Sequence, residues 1–461
     1  MERVEKPGRP ISVVVLAAGA GTRMRSDRPK VLHEVGGASL LAHALGAAAA
    51  LGPERTVLVV GHGGEAVAEA ARAIAPGIRI VEQAERLGTG HAVRCAAPAL
   101  DGVEGDLVVL YADTPFIAPD SLARMAAARD AGAGLVVLGF ESADPGRYGR
   151  LVTEGDGTLL RIVEARDAGP QELAITTCNS GVMAGEAATM LRLLEHVGND
   201  NAQGEYYLTD LVALARAEGI GCRAVLCDEA ETLGVNDRAD LARAEAAFQA
   251  RARRAAMLAG ATLVAPETVF LSHDTRLGRD VTVEPNVVFG PGVEEADGAR
   301  IAGFCHLEHC RIGPGATVGP FARLRGGTAL GADCRIGNFV EMKNATLAEG
   351  VKAGHLTYVG DAAVGAGANL GAGTVTCNYD GVDKHRTEIG AQAFIGTHAA
   401  LVAPVTVGEG AYVATGTVVT EDVPAEALAI ARPRQTNREG LAARLRKTFA
   451  ARKAARTRSE S

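Results

Sequence analysis

The chain has 461 residues, 47% of them hydrophobic and 22% charged, with a formal net charge of −8. That length exceeds one ordinary core, so two or three domains are expected of a soluble, globular protein. The absence of Trp, an aromatic content of 4% and the acidic balance argue against a nucleic-acid binder. The longest N-terminal apolar run, residues 11–18, is too short to span a bilayer and follows no leader pattern, so a cytoplasmic protein without membrane insertion is expected. Eight scattered cysteines with no C-x-x-C pair predict reduced thiols.

Residues 11–17, 56–60, 78–81, 107–111 and 134–140 read as buried strands, with helices over 40–51, 64–74, 90–100 and 119–131. This alternation predicts βαβ units and a mostly parallel, Rossmann-like sheet with helices on both faces. Directly after the first strand stands Leu16-Ala17-Ala18-Gly19-Ala20-Gly21-Thr22-Arg23-Met24, followed shortly by Pro29-Lys30. Glycines at 19 and 21 let backbone N–H groups approach phosphates, while Arg23 and Lys30 supply charge. Met24 stands where a dinucleotide loop carries its third Gly, which weakens that reading. Tyr111-Ala112-Asp113 ends a strand with an acid at the carboxyl edge of the sheet, where α/β ligands bind. Asp113 is the expected Mg²⁺ ligand, because hard cations take oxygen and Mg²⁺ keeps few protein ligands.

Residues 238–258 are rich in Ala, Arg, Glu and Leu without Gly or Pro, and predict a linker helix. Beyond it aliphatic residues recur every six: Ile312, Val318, Leu324, Leu330, Ile336 and Met342, then Ile389, Ile395, Leu401, Val407, Val413 and Val419. That period fits neither a helix nor a two-residue alternation. It predicts a β-solenoid of three flat sides per coil, with each aliphatic residue pointing inward. The Gly that often follows, as in Ile336-Gly337, is expected to turn the corner where a Cβ would be strained. The rhythm stumbles over 291–298 and breaks at 377–388, a segment expected to be a flap over an active site of a neighbouring subunit. Domain boundaries follow at 1–237, 238–259 and 260–440, with a basic tail at 441–461 expected to be disordered.

The loop from Leu16 to Lys30 resembles the signature of nucleoside-triphosphate sugar transferases. With motifs continuing to Arg432, the chain is similar to the bacterial bifunctional N-acetylglucosamine-1-phosphate uridyltransferase / glucosamine-1-phosphate acetyltransferase family. The resemblance implies two steps of UDP-N-acetylglucosamine synthesis for envelope polymers. Acetyl-CoA acetylates glucosamine 1-phosphate on the C-terminal unit, and UTP then passes UMP to N-acetylglucosamine 1-phosphate on the N-terminal unit, with Mg²⁺ and release of pyrophosphate. It also implies a homotrimer and a left-handed parallel β-helix, although general crossover rules favour the right hand.

For the first site the resemblance implies contacts to UTP and the sugar nucleotide from Leu16, Ala17, Ala18, Gly19, Lys30, Gln83, Gly88, Thr89, Tyr111, Ala112, Asp113, Gly149, Glu164, Asn179 and Asn236. Asn236 would join Asp113 on the metal, and the Gln83 amide suits a uracil edge. For the second, joining an amine to a thioester needs a base that titrates near neutrality, and His355 is the candidate, with Glu341 expected to orient its ring. Arg325 and Lys343 suit a sugar phosphate, flanked by Tyr358 and Asn369, while Asn378 would donate to the thioester oxygen. Ala372, Asn378, Tyr379, Thr397, Thr415 and Arg432 fit a groove for acetyl-CoA. Ala112, Ser180, Gly326, Thr397 and Thr415 depart from the family's usual residues, the last two putting fine coenzyme contacts in question. Pyrophosphorylases for ADP-glucose or GDP-mannose also carry hexad tails, used for assembly and regulation. The set His355, Lys343, Arg325 and Asn378 separates the two readings.

Overall fold

A computed structural model describes residues 8–459. The chain divides into two compact units: one runs to Leu258 and includes Phe270–Thr275, and the other takes Ala259–Val269 and the chain from Arg276 onward.

The first unit is built on a nine-stranded sheet: β1 Ile11–Ala17, β2 Arg55–Gly61, β3 Arg79–Gln83, β4 Asp106–Tyr111, β5 Leu135–Glu141, β6 Arg150–Thr153, β7 Leu159–Val163, β8 Thr177–Glu186 and β9 Cys222–Cys227. The main order is β9-β5-β8-β4-β1-β2-β3, with β6 and β7 forming a hairpin off β8. β1 pairs parallel with β2 and β4, whereas β8 runs antiparallel to both β4 and β5. Along β1 the side chains alternate between two cores. Val13, Val15 and Ala17 enter one, while Val14 and Leu16 enter the other, so β1 is buried throughout. A central strand of this kind delivers its C-terminal loop to a fixed point, and that loop is 18–24.

The helix Arg238–Leu258 groups with this first unit. Its Ala244 and Phe248 pack against Val35, Leu40 and Phe116. Gly36 faces the Phe248 ring at a point where a Cβ would lie 2.3 Å from it. Gln249 pairs with the Leu271 backbone in both directions, at 2.7 and 2.9 Å.

In the second unit all strands pair in parallel with the strand one coil away, as in Val318 with Ile336 and Ile336 with Ala353. Every aliphatic residue of the two hexad runs is buried, from Ile312 and Val318 to Val413 and Val419. The solenoid expectation therefore holds, and the unit is a parallel β-helix. Ordinary coils hold 17 or 18 residues. The step from Leu370 to its partner Ile395 is 25, because the 377–388 excursion is inserted there.

The glycines that follow the aliphatic residues divide: Gly319 takes a positive φ of +96°, as expected of a corner, whereas the others allow close approach. Gly337 has no positive φ; instead a Cβ there would stand 1.8 Å from the Gly354 oxygen of the next coil. Close approach between coils demands it. The left-handed conformation at one column of corners falls on Asn286, Phe304, Phe321, Phe339 and Leu356. Phe304, Phe321 and Phe339 stack outside that corner, with ring centroids 4.9 and 5.3 Å apart. The stumble at 291–298 is also explained: the coil continues there, but Glu295 occupies the inward position between Leu277 and Ile312. The tail expected to be disordered is instead a helix, Leu441–Ser459, almost wholly exposed along its described side chains. Ala, Leu, Arg and Lys are strong helix formers, and here that propensity outweighs like-charge repulsion.

Candidate active sites

Three segments far apart in sequence meet at the end of β1. Gly21 adopts φ +60° before a single 3₁₀ turn, Thr22–Met24, and a Cβ on it would lie 2.7 Å from Lys30 Cβ. The buried Lys30 ammonium donates to Asp113 Oδ2 at 2.6 Å and to Asn236 Oδ1 at 3.4 Å. Arg23 donates to the same Asn236 oxygen at 3.0 Å. The Val235 N–H donates to the Asp113 carbonyl at 2.9 Å, which ties the loop carrying Asn236 to the end of β4. One carboxylate and one amide oxygen thus face a common cation, the ammonium of Lys30. The donor set fits Mg²⁺, which is content with two protein oxygens when phosphates and water complete its shell. Among the described residues no cluster of three or more His, Cys, Asp or Glu could hold a metal.

Further along the same sheet edge, Gln83 ends β3 and is buried. The 87–90 turn beside it is latched by Tyr206 N–H to the Leu87 carbonyl and Gly90 N–H to the Tyr206 carbonyl, both 2.8 Å. Thr89 accepts from the Leu208 N–H at 3.1 Å. The Tyr111 phenol is pushed up by burial, and Gly181 passes so close that a Cβ would lie 2.8 Å from its ring. Gly149, Glu164 and Asn179 also gather: Asn179 N–H donates to the Gly149 carbonyl at 2.8 Å, and a Cβ on Gly149 would touch Glu164 at 3.4 Å. Burial raises the Glu164 carboxyl, which accepts from Thr209 at 3.2 Å. Sequence reading did not single out Thr209 as that partner.

On the solenoid, His355 is exposed and its Nδ1 lies 2.6 Å from Asn338 Oδ1. With Nδ1–H donating to that oxygen, the lone pair rests on Nε2. The side chain that hydrogen-bonds the ring is thus Asn338, not the expected Glu341. Glu341 stands fourteen residues before His355, on another side of the coil, whereas Asn338 stands seventeen before it, one full coil away and in register. Glu341 is instead held by Arg325, with Nε and a terminal nitrogen both 2.8 Å from Oε1. Arg325 is the register partner of Lys343 on the adjoining coil, as Arg323 is of Glu341, and Tyr358 pairs with Glu341 one coil further on. Lys384, which sequence reading passed over, lies against Lys343 and is the main cause of that ammonium's lowered affinity for its proton. Asn369 lies on a different side of the prism, in register with Lys352 and Phe394.

The 377–388 excursion is a compact turn: Asp380 accepts from the N–H groups of Val382 and Asp383 and pairs with His385 at 2.7 Å. The buried Asn378 donates through its side chain to Asp361. Ala372, Thr397, Thr415 and Arg432 follow one corner over successive coils. The His398 N–H donates to the Ala372 carbonyl, Gly416 N–H to Thr397 and Arg432 to the Thr415 carbonyl. Among the described residues no helix is long and apolar enough to cross a membrane.

A Rossmann-like sheet with cations on its first loop, joined to a hexapeptide-repeat prism, defines a nucleotidyltransferase fused to an acyltransferase. The MobA-like NTP transferase domain model matches residues 13–202. The bacterial transferase hexapeptide and the succinyl-transferase hexapeptide repeat match 309–344 and 386–421. The bifunctional protein GlmU of Cereibacter sphaeroides is 63% identical, over 96% of this chain and 97% of its own. Those of Ruegeria sp. and Jannaschia sp. are 59% and 56% identical, over 96% and 95% of this chain and 99% and 96% of theirs. A solved UDP-glucose pyrophosphorylase with UDP-glucose resembles 52% of this chain and 99% of its own at 19% identity, with a TM-score of 0.44. The chain belongs to the GlmU family of bifunctional proteins. It is a bifunctional enzyme, uridyltransferase in its N-terminal unit and acetyltransferase in its C-terminal unit.

Proposed function

We propose that the second unit transfers the acetyl group of acetyl-CoA to the amine of glucosamine 1-phosphate, and that the first joins the product to UTP. The convergence of Lys30, Arg23, Asp113 and Asn236 on one point carries the reading. In the first unit a phosphate oxygen of N-acetylglucosamine 1-phosphate attacks the α-phosphorus of UTP, and the bond to the leaving pyrophosphate breaks. Arg23 and Lys30 neutralise charge as it moves onto that leaving group. Asp113 and Asn236 would hold Mg²⁺, which supplies further positive charge against the phosphates when bound. Gln83 reads the uracil edge, and Glu164 and Asn179 receive the acetylamino sugar.

In the second unit His355 Nε2 takes a proton from the sugar amine as its nitrogen attacks the thioester carbonyl. The carbon–sulfur bond then breaks and CoA leaves as the thiol. Arg325 and Lys343 hold the sugar phosphate, Asn378 steadies the developing oxyanion, and the corner column ending at Arg432 takes the coenzyme. The side-chain cluster at residues 325–358 and the exposed His355 support this assignment. A homotrimer in the cytoplasm completes the proposal, supported by the exposed Phe304–Phe321–Phe339 stack and the flap. Incubation with glucosamine 1-phosphate, acetyl-CoA, UTP and Mg²⁺ is expected to yield free CoA, pyrophosphate and UDP-N-acetylglucosamine by mass detection. Light scattering is expected to give three times the 47.3 kDa chain mass. Absence of either CoA or pyrophosphate contradicts the paired activities.

A further inference from the structure

Gln83 is 3% exposed, and its amide nitrogen lies 3.0 Å from the Gly88 carbonyl oxygen and 3.0 Å from His91 Nδ1. A carbonyl oxygen only accepts, so the end of the amide turned toward Gly88 must be the NH₂. With one N–H on Gly88, the second points at His91 Nδ1. That nitrogen must then carry no proton, which leaves the imidazole proton on Nε2. Both donors of Gln83 are thereby used inside the protein, and only its Oε1 acceptor remains for a ligand. The surroundings keep this arrangement in place. The Gly88 φ of +103° and a would-be Cβ 2.6 Å from the Tyr206 oxygen confine the turn. His91 lies 6.2 Å, centroid to centroid, from the Tyr206 ring, which also carries the Arg94 guanidinium at 5.3 Å.

We propose that His91 is a specificity-determining positioning residue of the uridyltransferase: it locks Gln83 as an acceptor, and so selects uracil over cytosine. Uracil offers an N–H at ring position 3, whereas cytosine offers a lone pair there. An acceptor-only Gln83 meets the first and repels the second. The inference rests on Gln83 being a base contact, as assigned above. Without His91 the Gly88 carbonyl alone opposes a turn of the amide, and an amide turned over presents its NH₂ to cytosine.

The test compares kcat/KM for UTP and CTP in the full-length enzyme. His91→Leu is expected to lower the UTP/CTP ratio about tenfold, on the order of the worth of one hydrogen bond to a buried amide. His91→Asn, which can return an acceptor near the Nδ1 position, is expected to keep the ratio within about twofold of wild type. Thermal unfolding of the same chains, with a first-unit transition like that of wild type, reports that the unit carrying these residues folds. If His91→Leu lowers the ratio less than about fivefold while Gln83→Leu collapses it, the role of His91 is overturned and the base contact stands. If Gln83→Leu also leaves the ratio intact, the base contact itself fails. ¹⁵N NMR of the wild-type chain gives an independent reading, for a protonated Nδ1 at His91 overturns the proposal whatever the variants do.

Discussion

Glu295 shows how much one side chain can hold against a fold. It fills an inward position of the β-helix, is 5% exposed, and neither carboxylate oxygen has a hydrogen-bond partner. Burial pushes its carboxyl from 4.5 to about 8. The proximity of that acid also pushes up the Cys305 and Cys310 thiols, which are raised mainly by their own burial. Below about pH 4 the acid is protonated whether the chain is folded or not, and no ionisation cost arises. Between the unfolded value and about 8 the unfolded chain gives up a proton that the folded chain keeps, so stability falls as pH rises. At pH 7 the accumulated loss is on the order of 3 kcal/mol. Glu295→Leu is therefore expected to raise Tm, with a larger gain at pH 8 than at pH 5. An equal gain at both would show that the acid is not held neutral.

The same residue explains why the hexad reading faltered over 291–298. Periodicity registers which positions are apolar, and an acid at an inward position erases the beat while the backbone continues unchanged. His355 was legible only together with its polar neighbours Arg325, Lys343, Tyr358 and Asn369 and the family resemblance, since His306, His309, His385 and His398 lie in the same unit. Its partner Asn338 was not, since the relevant spacing is one coil of seventeen residues and only the register reveals it. His355→Ala is expected to cut CoA release by roughly 10² to 10⁴-fold. Asn338→Ala is expected to cut it about tenfold, while uridylyl transfer from supplied N-acetylglucosamine 1-phosphate persists in both. Full acetyl transfer in Asn338→Ala would show that the hydrogen bond does not orient the ring.

Among the elements, the strands and helices expected up to residue 140 lie within a few residues of those observed, because alternation of apolar runs with Ala-rich amphipathic stretches leaves little freedom. The antiparallel β8 and the β6–β7 hairpin were not anticipated, since pairing direction depends on distant partners rather than on local pattern. The linker helix matched its expected span, but its allegiance could not be read locally. Phe248 packs onto the first unit, and Gln249 clasps Leu271 across the intervening chain. Ser272 and His273 in turn reach the Gly36 carbonyl at 3.0 and 2.7 Å. A chain ending at residue 275 is thus expected to unfold roughly 4 to 8 °C above one ending at residue 251, given about 1 kcal/mol for each of the two Gln249 bonds. Both should retain uridylyl transfer; equal thermal midpoints would mean that the 270–275 strap adds nothing.

At the scale of the whole molecule, the chain places phosphate chemistry on an α/β sheet and amine acylation on a three-sided prism. Each unit has its own core and its own reactive groups, so damage to one site should leave the other working. The sharpest test is the product profile of Asp113→Ala with glucosamine 1-phosphate, acetyl-CoA, UTP and Mg²⁺. N-acetylglucosamine 1-phosphate is expected to accumulate at the wild-type rate of CoA release, with neither pyrophosphate nor UDP-N-acetylglucosamine formed. Loss of CoA release along with pyrophosphate, in a chain that still folds, would contradict two independent sites.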